Sequence, residues 1–256
     1  MTDTPLLRFD EVTLRFFGVT ALSEVSFAVH PGELLAVIGP NGAGKTTIFN
    51  CINRVYRPQK GRIEMHGRDL PSAPVDVARS RIARTFQNLG LFTNLSVLDN
   101  LMLGRHLLMR TGFATGALWL GRARREEVEH RARVEEVVEL LELEQHRHLP
   151  VSVLPFGIKK RVELGRALAM EPELLLLDEP VAGMNLEESE DMARHLLEVR
   201  RRLGTTMILV EHDMAFVMDL AERVVVLDFG QVIAEGDPER VQSDERVIEA
   251  YLGTTR

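Results

Sequence analysis

The sequence of 256 residues has one cysteine, few aromatic residues and no excess of positive charge. A single cysteine, Cys51, cannot form an intramolecular disulfide, so we do not expect a disulfide-stabilised fold. Lys and Arg number 31 against 38 Asp and Glu, which gives a formal net charge of −7 and offers no basic surface for a polyanion. The composition therefore disfavours a nucleic-acid-binding protein.

Long hydrophobic runs are also missing. A membrane-spanning helix needs about 20 mostly apolar residues, whereas the best candidate, residues 107–120, is shorter and contains Arg110 and two glycines. Residues 1–10 have neither the basic segment nor the apolar run of a signal peptide. We therefore expect a soluble chain in a reducing, cytoplasmic compartment, and any membrane function would depend on another protein's spanning segments.

What is present is a typical globular composition, with 45% apolar and 27% charged residues, and a hydrophobic pattern that changes along the chain. Residues 1–95 contain short alternating runs and one continuous apolar run, Leu34–Ile38, which predicts mostly antiparallel strands around one buried strand. Residues 96–170 have apolar positions at three- and four-residue steps, which predicts a helical subdomain. The whole pattern indicates an α/β protein.

Residues 171–256 return to alternating strands and helices. The predicted elements are buried strands at Leu174–Leu177 and Thr205–Val210, a helix at Leu186–Leu203, short strands at Val224–Leu227 and Val232–Ala234, and a helical C-terminal stretch at Pro238–Leu252. The first helix has clear ends, because Asn185 and Glu188 fit a capping box and Gly204 fits a C-terminal stop.

A glycine-rich loop follows the buried strand Leu34–Ile38 and fits the pattern Gly-x4-Gly-Lys-Ser/Thr of phosphate-binding loops. Its glycines let successive backbone N–H groups converge on a phosphate, and the helix that follows adds its positive N-terminal end. Lys45 supplies a charge for the β- and γ-phosphates, and the Thr46 hydroxyl is a candidate Mg²⁺ ligand. The candidate phosphate-binding residues are Gly39, Asn41, Gly42, Ala43, Gly44, Lys45, Thr46 and Thr47. A structural glycine turn is the alternative, and the loop alone fits kinases, GTPases and motor ATPases equally.

Two carboxylates, Asp178 and Glu179, end the strand predicted at Leu174–Leu177. The carboxyl end of such a strand lies beside the phosphates in α/β nucleotide-binding proteins. We expect Asp178 to contribute to Mg²⁺ binding and Glu179 to orient, or accept a proton from, the attacking water. The alternative is an ordinary strand end with solvated acids.

With these motifs in this order, the sequence resembles the nucleotide-binding subunit of ATP-binding cassette (ABC) transporters nearly end to end. The resemblance implies one nucleotide-binding domain over residues 1–256: a P-loop NTPase core of ABC type, with an antiparallel β subdomain and an inserted helical subdomain. It also implies two roles for Gln87: this residue would sense Mg²⁺ and the attacking water, and it would couple the nucleotide site to the membrane subunit. His212 resembles the switch histidine that contacts the γ-phosphate and Glu179.

Two further segments carry the resemblance less completely. Residues 154–158, Leu-Pro-Phe-Gly-Ile, stand where the family has Leu-Ser-Gly-Gly-Gln, so Pro155 and Ile158 lack the usual hydroxyl and amide. Gly157 is the retained glycine, and the resemblance implies that its backbone binds the γ-phosphate held by a partner subunit, in trans. Phe16 resembles the aromatic residue that stacks on adenine, with Phe17, or simple strand packing of Phe16, as the alternatives.

Several segments, including the insertion at 105–125, resemble LivG-type subunits of branched-chain amino acid importers. This resemblance implies ATP and Mg²⁺ as cofactors, and a sister ABC ATPase, in a homo- or heterodimer, as partner. It also implies two transmembrane permease subunits, an external substrate-binding protein, and a peripheral place on the cytoplasmic face of the inner membrane. The alternatives are a lipid or lipopolysaccharide export ATPase, and a non-transport ABC ATPase acting as a nucleotide-gated clamp. The insertion either covers the helical subdomain or brings Phe113, Leu118 and Trp119 to the permease or membrane.

Overall fold

The protein is described by a computed structural model that covers residues 4–85, 90–108 and 122–252. The strands are β1 (Leu7–Phe16), β2 (Val19–Val29), β3 (Leu34–Ile38), β4 (Lys60–Met65), β5 (Arg68–Asp69), β6 (Ile82–Arg84), β7 (Leu174–Asp178), β8 (Thr206–Val210), β9 (Arg223–Asp228) and β10 (Gln231–Gly236). The α-helices are α1 (Lys45–Ile52), α2 (Pro74–Arg79), α3 (Val97–Gly104), α4 (Arg122–Leu140), α5 (Phe156–Leu168), α6 (Leu186–Leu203), α7 (Met214–Leu220), α8 (Pro238–Gln242) and α9 (Glu245–Leu252). Short 3₁₀ helices cover Arg105–Leu108, Glu144–His146 and Val151–Val153.

The first sheet is antiparallel and has the strand order β2-β1-β4-β5. Strand β1 pairs with β2 through Leu7 opposite Val29 and with β4 through Leu7 opposite Met65. Inside this sheet, the rings of Phe9 and Phe27 stack with their centroids 4.6 Å apart. The antiparallel strands expected in the first part of the sequence are therefore present.

The second sheet has the order β10-β9-β3-β8-β7-β6. Strand β3 is parallel to β8 and β9, and β7 is parallel to β6 and β8, while β10 runs antiparallel to β9. Every residue of β3, β7 and β8 is buried, which explains their continuous apolar runs. Because these strands are parallel, the segments that follow them lie along one edge of the sheet.

Two hydrophobic clusters lie on opposite faces of this sheet. Leu34, Ala36 and Ile38 of β3 belong to a cluster formed with helices α3 to α7, while Leu35 and Val37 pack with the antiparallel sheet and α1. This division follows from the alternation of side chains along a strand. The α/β fold with an antiparallel β subdomain and an inserted helical region is confirmed.

The helices in the last part of the chain have clear starting and ending residues. Helix α6 begins with the expected capping box of Asn185 and Glu188 and ends at Gly204 in the left-handed conformation. The helical stretch expected at Pro238–Leu252 consists of two helices, α8 and α9. Asp244 starts the second, because its carbonyl accepts from the Val247 N–H and its carboxylate accepts from the Arg246 N–H. Among the described residues, no helix combines the length and apolar character needed to cross a membrane.

Candidate nucleotide-binding site

The glycine-rich loop connects the end of β3 to the start of α1 at the carboxyl edge of the parallel sheet. Gly39 has φ 148° and Gly44 has φ 106°, a region that L side chains rarely adopt. A Cβ at Gly39 would overlap the Leu227 carbonyl oxygen, and one at Gly44 would lie 2.9 Å from the Ala21 carbonyl oxygen. Glycine is therefore required at both positions by conformation and by space.

The Lys45 side chain is folded along this loop. Its Nζ donates to the carbonyl oxygens of Gly39, at 2.6 Å, and Pro40, at 3.0 Å. Burial of the ammonium group lowers the pKa of Lys45, and the nearby charge of Glu179 opposes that shift. The phosphate loop and the acidic end of β7 are thus close enough to interact electrostatically.

A cavity of about 400 Å³ lies over the loop. Its walls combine the loop with residues 19–21 at the start of β2, Glu179, and Phe229 in the turn between β9 and β10. The lining residues are Val19, Thr20, Ala21, Asn41, Gly42, Ala43, Gly44, Lys45, Thr46, Thr47, Glu179 and Phe229. The structure therefore brings all the candidate phosphate-binding residues except Gly39 around one cavity, together with Glu179, which is far from them in sequence.

Asp178 is buried at the end of β7 and is paired with a cation from the neighbouring strand. Arg84 of β6 donates to the Asp178 Oδ2 at 2.6 Å and to Asn50 Oδ1 at 2.8 Å, and its guanidinium lies 5.5 Å from the centroid of the Phe49 ring. The backbone N–H of Asp178 donates to Thr85 Oγ1 at 3.3 Å. These contacts fix Asp178 at the edge of the sheet.

Mg²⁺ prefers oxygen ligands and commonly takes one or two protein carboxylates or hydroxyls together with substrate phosphates. Thr46, in the first turn of α1, and Asp178 offer a hydroxyl and a carboxylate of this kind. The described residues contain no cluster of three or more His, Cys, Asp or Glu side chains suited to a metal. The donor set therefore fits a magnesium ion bound with nucleotide phosphates better than an independent metal centre.

Glu179 has φ 48°, a left-handed conformation that is uncommon for residues other than glycine. Its backbone N–H donates to the Val210 carbonyl at 2.9 Å, at the end of the adjacent strand β8. After this bond the chain leaves the sheet in a tight turn, and Glu179 lies at that point in the wall of the cavity. Strained backbone of this kind is concentrated at functional sites.

His212 follows β8, and its side chain is 65% exposed. The Nδ1 atom lies 3.5 Å from the carboxylate of Glu211, whose own side chain is fully buried. Because β7 and β8 are adjacent and parallel, Glu179 and His212 follow neighbouring strand ends. His212 is a predicted site residue, whereas no sequence pattern points to Glu211.

Gly157 lies at the start of α5, where its backbone N–H donates to Glu188 Oε1 at 3.2 Å. The other oxygen of Glu188 accepts from the Asn185 N–H at 3.1 Å, in the capping box of α6. A Cβ at residue 157 would lie 2.7 Å from Glu188 Oε1, so glycine permits this close approach. The 154–158 segment is thereby joined to the start of α6, a contact that no sequence pattern predicts.

The two candidate adenine-stacking residues differ in their surroundings. The Phe16 ring is half-buried and packs edge-on against Tyr56, with the ring centroids 4.8 Å apart. The Phe17 ring is fully exposed at the turn that leads to residues 19–21 of the cavity wall. Phe229, another exposed aromatic residue, lines the cavity, and its place in a short turn gives no sequence signal.

Some of the sequence predictions fall outside the described residues. Gln87 is one of them, and so are Phe113, Leu118 and Trp119 of the 105–125 insertion. Their predicted roles stay predictions.

Comparisons with known proteins agree with this geometry. A family model described as "ABC transporter" matches residues 22–182, and a second, "Branched-chain amino acid ATP-binding cassette transporter", matches residues 231–255. The high-affinity branched-chain amino acid transport ATP-binding protein LivG of Escherichia coli K12 is 37% identical over 250 residues, which cover 97% of this chain and 98% of that protein.

Solved structures give the same result. The ADP conformation of an ATP-binding cassette of an ABC transporter superposes with a TM-score of 0.84 at 30% identity, covering 97% of this chain and 99% of that chain. A dimeric post-hydrolysis state of an ATP-binding cassette bound to ADP and Pi gives a TM-score of 0.74 at 25% identity, covering 91% and 98%. The similarity to LivG-type subunits inferred from the motifs is confirmed, and the chain belongs to the ATP-binding cassette transporter family.

Proposed function

We propose that this chain is the ATP-hydrolysing subunit of an importer of branched-chain or related amino acids. The observation that carries the proposal is the single cavity lined by the phosphate loop, Lys45 and Glu179. The similarity to LivG over 97% of the chain and the match of residues 231–255 to the branched-chain amino acid family support the choice of importer.

In this proposal, the loop residues 39–47 surround the nucleotide phosphates with backbone N–H groups, and Lys45 contacts the β- and γ-phosphates. Thr46, Asp178 and Gln87 would hold Mg²⁺, which supplies neutralisation of phosphate charge when bound. Glu179 orients the attacking water, and His212 contacts the γ-phosphate. Each side chain therefore acts on charge or position, as phosphoryl transfer requires.

The adenine ring would stack on an aromatic side chain at the cavity rim. Phe16 is the candidate carried by the family resemblance, whereas the exposure of Phe17 and the position of Phe229 support these two rings as contacts. Base stacking needs an exposed ring face, and the Phe16 ring is half-buried whereas the Phe17 ring is fully exposed.

The remaining parts of the proposal concern assembly. A second ABC ATPase, identical or a sister chain, would supply a residue equivalent to Gly157 to the bound ATP, so that nucleotide holds the two subunits together. Closure and reopening of this dimer would drive two transmembrane permease subunits, which receive amino acids from an external binding protein. The chain would act as a peripheral subunit on the cytoplasmic face of the inner membrane.

Uptake measurements test this function directly. The chain is reconstituted in proteoliposomes with the permease subunits and binding protein of its source organism, and uptake of radiolabelled leucine, isoleucine and valine is measured with ATP inside. We expect uptake with the wild-type chain and none with Lys45→Ala, which removes a phosphate contact. ATP hydrolysis without uptake of any of these amino acids would refute the assignment to this importer class.

A further inference from the structure

Glu211 is a buried carboxylate that accepts hydrogen bonds from two loops. Its Oε1 accepts from the Val181 N–H at 3.2 Å, and its Oε2 accepts from the N–H groups of His212, at 2.9 Å, and Asp213, at 3.3 Å. The side chain is fully buried. The carboxylate is therefore committed to backbone groups and does not face solvent as a general acid or base would.

The two loops are the ones that carry the proposed hydrolytic residues. Val181 lies two residues after Glu179, in the turn that leads to α6, and His212 is the second residue of the loop after β8. The Glu179 N–H also donates to the Val210 carbonyl at 2.9 Å. The Glu179 and His212 segments are thus joined by four hydrogen bonds. One is the bond from the Glu179 N–H to the Val210 carbonyl, and the other three are accepted by the Glu211 carboxylate.

The same carboxylate also faces the imidazole. His212 Nδ1 lies 3.5 Å from Glu211 Oε2, so the opposite ring nitrogen, Nε2, points away from Glu211. A carboxylate close to one histidine nitrogen favours one orientation of the ring, as in many sites where the other nitrogen contacts a ligand. Here the separation is that of an electrostatic contact, longer than an ordinary hydrogen bond. The imidazole itself is 65% exposed.

We propose that Glu211 is a positioning residue that holds His212 and the loop after Glu179 in one arrangement for hydrolysis. This inference rests on the proposed function, in which His212 contacts the γ-phosphate. Only a carboxylate satisfies the geometry, because three N–H donors converge on two acceptor oxygens. A glutamine would offer one oxygen and place an NH₂ group against at least one N–H.

The expected effect is on turnover and not on nucleotide affinity. Glu211 is absent from the cavity lining, so Glu211→Gln should leave the affinity for ATP within twofold of wild type. Misplacement of a catalytic group by about 1 Å costs about 100-fold in rate, so kcat should fall by about 10- to 100-fold. Glu211→Asp keeps both oxygens on a shorter side chain and should have an intermediate kcat.

A matched control is available at the other end of the sheet. Glu33 is also buried, accepts from the His30 N–H at 2.7 Å, and pairs with Arg223 at 2.7 Å. It precedes β3 at the amino end, away from the cavity. Glu33→Gln should therefore perturb stability without lowering kcat, which separates a loss of fold from a loss of positioning.

The test combines kinetics with hydrogen exchange. Relative to wild type, Glu211→Gln should lower kcat and speed exchange of the Val181 and Asp213 N–H groups, whereas Glu33→Gln should do neither. In a double-mutant cycle, Glu211→Gln should cost less in a His212→Ala background than in wild type, because the part of its effect that acts through His212 is already lost there. An unchanged kcat with unchanged exchange, or an equal loss of kcat in both backgrounds, would overturn the inference. Failure of wild type to bind ATP would instead refute the proposed function, and the exchange result would still decide whether Glu211 holds the two loops.

Discussion

Replacing Arg84 with methionine should destabilise the protein much more than replacing Arg81, three residues earlier. The Arg84–Asp178 ion pair is 2.6 Å long, and its side chains are 13% and 2% exposed. The Arg81–Glu173 pair is 2.9 Å long, with side chains 50% and 33% exposed. Arg84, the last residue of β6, therefore forms a buried ion pair, whereas Arg81, just before the strand, forms an ion pair at the surface.

The magnitudes follow from burial. Removing one partner of a buried pair leaves an uncompensated charge and costs about 3–5 kcal/mol, whereas an exposed pair contributes about 0–1 kcal/mol. In a chain of this size, each 1 kcal/mol shifts the melting temperature by about 2–4 °C. We expect Arg84→Met to lower the melting temperature by about 6–20 °C and Arg81→Met by at most about 4 °C.

Denaturant titration and thermal unfolding of both variants measure these differences. A double variant gives the matched control, because Asp178→Asn removes the charge that Arg84→Met leaves unpaired and should restore part of the lost stability. Equal destabilisation by Arg84→Met and Arg81→Met would refute the reasoning. Full additivity of the two changes in the double variant would refute the direct coupling of Arg84 to Asp178.

Two further pairs of variants test other contacts of the site. Phe17→Ala should weaken ATP binding by about tenfold, equivalent to one lost base-stacking contact of about 1–3 kcal/mol, whereas Phe16→Ala should mainly lower the melting temperature. Isothermal titration with ATP and thermal unfolding distinguish the two variants. The reverse pattern would identify Phe16 as the stacking residue. Glu188→Ala removes the capping box and the bond to Gly157 and should cost about 2 kcal/mol of unfolding free energy, whereas Glu187→Ala, in the same exposed first turn, should cost less than about 0.5 kcal/mol. Equal denaturation midpoints for the last two variants would contradict the role of Glu188.

Much of the fold could be predicted because its central elements have strong local signals. The buried strands β3, β7 and β8 are continuous apolar runs, and each is followed by residues that cannot continue a strand core, such as the glycines after β3. Helix α6 has its capping box and its C-terminal glycine within the sequence itself. Parallel strand order then places the phosphate loop, Glu179 and His212 along one edge.

Other features depend on contacts that sequence patterns do not reveal. Strand β1 has register shifts between Phe9 and Leu14, and Glu11 has φ 50°, so simple alternation does not fix which face the last residues occupy. Phe16, at the end of β1, packs against Tyr56, while Phe17, in the turn that follows, is exposed. The contacts of Glu188 and Arg84 likewise join residues distant in sequence.

We propose that ATP holds two such subunits together and that Glu179 is required for hydrolysis but not for binding. Size-exclusion chromatography with light scattering on Glu179→Gln, with and without Mg²⁺ and ATP, tests it most directly, using the chain alone and mixed with a sister ABC ATPase from its source organism. We predict that the mass rises with ATP from the monomer value of 28.9 kDa to that of a dimer, in one of the two samples. A mass that stays at the monomer value in both samples, with ATP bound, would contradict the account.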